Sequence, residues 1–195
     1  MADAPAYIRN FKNFTNGDLT VDNLAWFEAE AYGGSDRARA IMLSSVAETA
    51  LEDLVRSKLI AGVNADDRRV LFDFNGPLGS FSSQILMAAN LGWIGPNTRN
   101  DLDLVRVLRN GFAHCRKAFG FETHEVAEVC KHLRLPDTPG SFIPHGYLTS
   151  VSDDELKDAS DKQHPRTRYI MACFIASERL LGAAHPGEYN VPAPD

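Results

Sequence analysis

The stretch Asp101–Lys117, read DLDLVRVLRNGFAHCRK, concentrates the residue types best suited to chemistry in this chain. On a helix advancing about 100° per residue, Val105, Leu108, Phe112 and Cys115 share one apolar face. Arg106, Asn110, His114 and Lys117 recur at i, i+4, i+8 and i+11 and form a second, polar stripe, with Arg109 beside it. Imidazole titrates near neutrality and can move a proton. Guanidinium presents a planar fork that matches phosphate oxygens. Arg106, Arg116 and Lys117 are the cations available to bind around such a centre.

The local charge supports an anionic partner more than the whole chain does. From Arg99 to Lys117 there are five basic residues and two acids, a net of +3, inside a protein whose formal net charge is −6. Nucleic-acid affinity comes mostly from Lys and Arg displacing counterions, so the acidic total argues against a general nucleic-acid coat. It leaves room for a local basic patch. Gly111 in the helix interior costs roughly 1 kcal/mol against Ala. Close approach of another helix or of a partner chain would account for it. The structural alternative is that Arg109, Asn110 and His114 fix helix ends or a dimer contact.

The elements that must position these residues are helical throughout. Val21–Tyr32 has Thr20 as its cap and Gly33-Gly34 as its stop. Ser35 caps a long helix ending near Gly62, with Ile41, Met42, Val46, Leu51, Leu54, Val55 and Leu59 on a broad apolar face. Asn64 caps a short helix to Leu71, and 75–79 (NGPLG) is a turn. Ser80 opens a helix to about Leu91. Pro96 suits the start of the helix Asn97–Cys115. Thr123 caps a further helix, Ser152 and Asp153 begin one to Ala159, and Pro165–Ala184 is the last. Ala6–Phe14 reads as a short extra helix. Leu135–Thr149, rich in Pro and Gly, reads as a long surface loop. The expectation is an all-α, single-domain bundle of six to eight helices over residues 1–195. Its core spans about 20–184, followed by a loose tail at 185–195. With 195 residues the chain suits one domain better than two.

At this point the residues resemble known families. Arg109-Asn110-Gly111-Phe112-Ala113-His114 fits the HEPN pattern of Arg, a polar residue, three residues and His. Leu71–Ser82, LFDFNGPLGSFS, is similar to the central signature of mannitol-repressor-like proteins. In that group a helix, a break like Leu91-Gly92-Trp93-Ile94 and an Arg-Asn…Ala-His helix follow in the same order. The resemblance spans roughly Ala40–Leu133, about half the chain. It implies an all-α, HEPN-like or mannitol-repressor-like bundle, often dimeric. Two functional classes follow. One is a regulatory protein resembling mannitol operon repressors, working through protein partners rather than by reading DNA sequence. The other is an HEPN-like, metal-independent endoribonuclease, a toxin or defence component. There His114 would be the acid–base group, Arg109 would hold the phosphate and Asn110 would orient one of them. RNA is a partner only in the second class.

Other candidates are weaker. Cys115, His124, Cys130 and His132 match no common zinc spacing, so neither a metal site nor a cofactor is expected. Gly76-Pro77-Leu78-Gly79 lacks the ending of a phosphate loop. Glu48 and Glu52, i and i+4 acids on the long helix, could pair with Arg109 or Arg56 or sit in solvent, and the solvated reading is preferred. No Gly-x-Ser-x-Gly elbow and no helix-turn-helix stand out. No run is long and apolar enough to cross a bilayer. Met1–Asn10 lacks a basic region followed by an apolar stretch, and three unpaired cysteines fit a reducing compartment, so a cytoplasmic location is expected.

Overall fold

The computed structural model describes residues 21–59 and 64–187. The expected helix at Ala6–Phe14, the Thr20 cap and most of the tail lie outside the described residues. Nine α-helices are found among the described residues: α1 (Val21–Gly33), α2 (Asp36–Lys58), α3 (Ala65–Phe72), α4 (Phe81–Asn90), α5 (Pro96–His114), α6 (His124–Lys131), α7 (His145–Ser150), α8 (Asp153–Ala159) and α9 (Pro165–Ala184). The protein is an all-α helical bundle, as the periodicity predicts.

α2 and α9 form the spine. The Ser35 side chain accepts from the Ala38 amide at 3.2 Å and caps α2. Asp36 in the first turn and Arg56 and Lys58 in the last complement the helix dipole. Small residues on the contact faces, Ala40, Ala47 and Ala50 of α2 and Ala172 and Ala176 of α9, are all buried and let the two backbones approach closely. α9 is buried around almost its whole circumference from Thr167 to Ala176, which explains why its apolar pattern lacks a clean polar side.

The core falls into two clusters that both draw on this spine. One gathers Leu43, Phe112, Phe121, Tyr147, Tyr169 and Ile170. The other gathers Leu51, Leu54, Phe81, Ile85, Leu102 and Met171. α5 lies across α2, α4 and α9 and contributes Val105, Leu108 and Phe112 to the first and Leu102 to the second.

Three expectations about elements are corrected, the first being the helix count, which is nine among the described residues against the six to eight expected. Leu135–Thr149 is not a surface loop: a 3₁₀ turn at Leu135–Asp137 and helix α7 occupy much of it. Leu135 and Tyr147 are fully buried, with Tyr147 packed 5.9 Å from Tyr32. Each short element starts at a proline position, Pro136 in the turn and Pro144 at the α7 cap, so the residues read as breakers are initiators. The long helix stops at Lys58 rather than near Gly62, because Leu59 is extended.

Candidate functional site

α5 carries the sequence-predicted residues, and its end decides which of them share a face. Cys115 is extended, with φ −70° and ψ 132°, so the helix stops at His114. The Arg37 guanidinium of α2 donates to the Cys115 carbonyl at 2.9 Å and satisfies one of the terminal acceptors. Beyond it the chain folds back so that Phe119 stacks on Phe112 and Phe121 meets it at a tilt, at ring separations of 4.6 and 4.9 Å. The expected stripe is therefore truncated. Arg106, Asn110 and His114 are helical, whereas Arg116 and Lys117 lie past the helix end and are exposed. Cys115 leaves the apolar face and is only half-buried.

Arg109 and His114 are not brought together within the chain. Five residues apart on one helix, they project about 140° from each other. Arg109 Nη2 faces Glu48 Oε2 of α2 at 3.2 Å. Burial raises the Glu48 carboxyl above its usual value, Arg109 pulls it down and neighbouring Glu52 pushes it up again. Glu52 is paired as well, with Arg56 at 2.6 Å, so the reading of both acids as solvated is corrected. The alternative pairing with Arg109 and Arg56 is the one found, the second as an i,i+4 contact along α2 and the first across to α5.

The outer side of α5 is open. His114 is exposed, Asn110 is half-buried, and neither has a hydrogen-bond partner among the described residues. Arg106 reaches Asp103 at 3.8 Å, too long for a hydrogen bond, and its Nε is buried without one. Val107 is 50% exposed. Beyond its own helix turn, no atom of the described residues stands within 4 Å of where a Cβ on Gly111 would lie. The within-chain explanation for Gly111 is thus corrected among the described residues, none of whose other helices approaches it.

The thiols are excluded as nucleophiles at two of three positions. Burial pushes the Cys130 thiol up to about 12 and raises Cys173 further. Cys115, His124, Cys130 and His132 do not converge. Among the described residues the metal-type side chains that do converge are Glu122, Asp158 and His164.

Two buried polar networks went unseen in the sequence. Asp101 accepts from the backbone amides of Arg134 and Leu135, each at 2.8 Å. Arg39 and Arg166 share Asp36 and Glu155 at distances of 2.8 to 3.3 Å. One signal was available: Arg166 and Arg168 sit in the opening turns of α9, where the dipole disfavours cations, so both needed acidic partners.

Against protein-family models, curated proteins and solved structures, the chain finds no match. No helix among the described residues is long and apolar enough to cross a membrane.

Proposed function

We propose that this protein is a regulatory module that works through protein contacts on the outer face of α5, as its resemblance to mannitol-repressor-like proteins implies. The observation that carries this reading is the pairing of half-exposed Val107 with the open Gly111, flanked by Asn110 and His114 with unsatisfied polar groups. An apolar residue beside a residue with no side chain gives a flat, close-approach surface, and polar groups around it supply specificity. A second copy is one occupant, giving a homodimer with Arg109–His114 near the contact. Direct reading of DNA sequence is not part of the proposal, because the net charge is −6 and the described basic residues form no recognition helix.

Two measurements test it. Val107→Asp, at a half-exposed position whose side chain the fold does not bury, should convert a dimer to monomer in light scattering. In a strain carrying Val107→Asp, transcripts of neighbouring genes should change as they do in a deletion strain. Unchanged transcripts and an unchanged mass would sink the reading. Location within a sugar-uptake operon supports it, and an adjacent antitoxin-like gene opposes it.

The ribonuclease reading retains one specific observation. His114 is exposed and unpartnered, with the cations Arg116 and Lys117 just beyond it. The Glu48–Arg109 pair weighs against it, since the guanidinium meant for phosphate already has an anion. Incubation of purified protein with mixed cellular RNA separates the two readings. The regulator cuts nothing. A nuclease loses about 10²–10⁴-fold of its rate in His114→Ala, loses activity in Arg109→Ala, and is indifferent to chelator.

A further inference from the structure

Away from the α5 face, three chain segments meet at the N-terminal end of α9. Glu122 comes from the turn before α6, Asp158 from the end of α8, and His164 is the N-cap residue of α9. One ligand-type atom from each lies within 4.8 Å of the other two. His164 Nε2 is 3.7 Å from Glu122 Oε1 and 3.8 Å from Asp158 Oδ2.

These separations are too long for hydrogen bonds. They are close to the edge of a coordination tetrahedron, about 3.4 Å for ligands roughly 2.0–2.1 Å from a zinc ion. We propose that Glu122, Asp158 and His164 form a divalent-cation site of zinc type, with one imidazole nitrogen and two carboxylate oxygens as ligands.

The backbone of this corner is held firmly. Gln163 and His164 donate their amides to Asp161, at 2.8 and 3.1 Å, and Thr167 Oγ1 donates to the Asp158 carbonyl at 2.9 Å. The Thr123 hydroxyl does not cap α6 but accepts from the Gly120 amide at 3.1 Å, closing the turn that carries Glu122. The His164 ring is mostly buried, and its Nδ1 has no hydrogen-bond partner. Nε2 is therefore the atom through which the ring interacts, and it points at both carboxylates.

The charge of the corner is uncompensated. Glu122 and Asp158 make no ion pair with any Lys or Arg among the described residues. Lys157, next to Asp158, makes no ion pair with it, and the next basic residues along the chain are engaged elsewhere. Lys162 donates to the Ser141 carbonyl, Arg166 binds Asp36 and Glu155, and Arg168 binds Asp137. Residues 153–161 hold five acids against the one base Lys157, a local net charge of −4. The N-terminus of α9 opposes a cation with the equivalent of about half a positive charge. Two formal carboxylate charges outweigh it.

The donor set decides which cation. An imidazole nitrogen with two carboxylates suits borderline ions such as Zn²⁺, whereas Mg²⁺ and Ca²⁺ favour oxygen alone. Three protein ligands leave a fourth position to water. With no acceptor on Nδ1 the ring lacks the support that tightens many zinc histidines, so affinity about 10–100-fold below that of a fully supported site is expected.

Calorimetric titration of the full chain with zinc chloride near pH 7 is the test. One ion per chain should bind, and the melting temperature should rise by about 5–10 °C at free zinc near 100 times the dissociation constant. His164→Ala and Glu122→Gln should each lower affinity by about tenfold or more, a loss that even a residue supporting a ligand commonly produces. The Glu122 side chain is 69% exposed, so its variant folds even where His164→Ala does not. His132→Ala, at an exposed position elsewhere, should bind as wild type. Magnesium should bind far more weakly than zinc. No zinc binding, or equal binding by wild type and Glu122→Gln, would overturn the proposal.

Discussion

Arg168 and Arg109 each sit on a long helix and each faces a carboxylate, yet their surroundings have little else in common. Arg168 is 2% exposed and donates to the carbonyls of Cys130 and Leu133, to both oxygens of Asp137 and to Gln163. Its hydrogen-bonding capacity is spent inside the protein. Among the described residues Arg109 pairs only with Glu48, and the side chains of Asn110 and His114 make no hydrogen bond. A polar side chain whose donors are all consumed internally ties elements together. One whose donors face solvent is available to something outside the chain. The contrast separates the buried bonds of Asp101 and Arg168 from the α5 outer face as framework and working surface.

Removing the framework arginine should have the largest effect. Arg168→Met fills similar volume but strands two buried carbonyls and frees Asp137. The half-exposed Asp137 can rehydrate, so the cost falls at the lower end for a broken buried pair, about 3 kcal/mol. Thermal melts should show a fall of roughly 6–12 °C. A change below about 0.5 kcal/mol would show that the contrast between the two arginines has no energetic content. Asp101→Asn ranks next. Burial pushes the Asp101 carboxyl up, while the Arg134 amide, the Asn100 side chain and the Leu135 amide pull it down. Its two oxygens serve two different amides, and an asparagine has one oxygen. One backbone N–H would then face an NH₂ group, an unsatisfied buried donor costing about 1–3 kcal/mol. Relief of the buried charge offsets part of that, so denaturant unfolding should show a loss of about 1–2 kcal/mol.

The same contrast explains what could be read from the sequence. Pro165–Ala184 was legible to the residue, because a proline at the first position and an apolar run are local signals. The Ser35 and Ser80 caps were legible for the same reason. α7 was hidden, since Pro144 and Gly146 look like breakers until Tyr147 finds its place against Tyr32. Asp101 meets amides 33 and 34 residues away, and Arg109 meets a glutamate 61 residues away. Such pairs exist only once the bundle has formed, and no spacing rule reports them. The candidate stripe was legible to His114 and misread at Lys117. What ended it was the stacking of Phe119 on Phe112, a tertiary contact that overrides helix continuation.

The smallest effect sharpens the comparison most, because it tests whether the Glu48–Arg109 pair behaves as framework at all. The Glu48 carboxyl is raised chiefly by burial, and Arg109 recovers only part of the cost. A folded value above the unfolded one means that the protonated form is favoured by folding. This contribution is fully present below the usual carboxyl value of 4.5 and is lost as pH rises through the higher folded value. Glu48→Gln removes the titration and keeps an oxygen for Arg109 to bond. At neutral pH the variant should therefore equal or slightly exceed wild type, within about 1 kcal/mol for a partly exposed pair. Any advantage should vanish as pH falls below about 4.5. Denaturant unfolding of both proteins at pH 4 and pH 7 gives the difference directly, since every other titrating group cancels between them. Should Glu48→Gln instead lose 2 kcal/mol or more at pH 7, the pair belongs with Arg168 as framework, and the working surface on α5 shrinks to Val107, Asn110, Gly111 and His114.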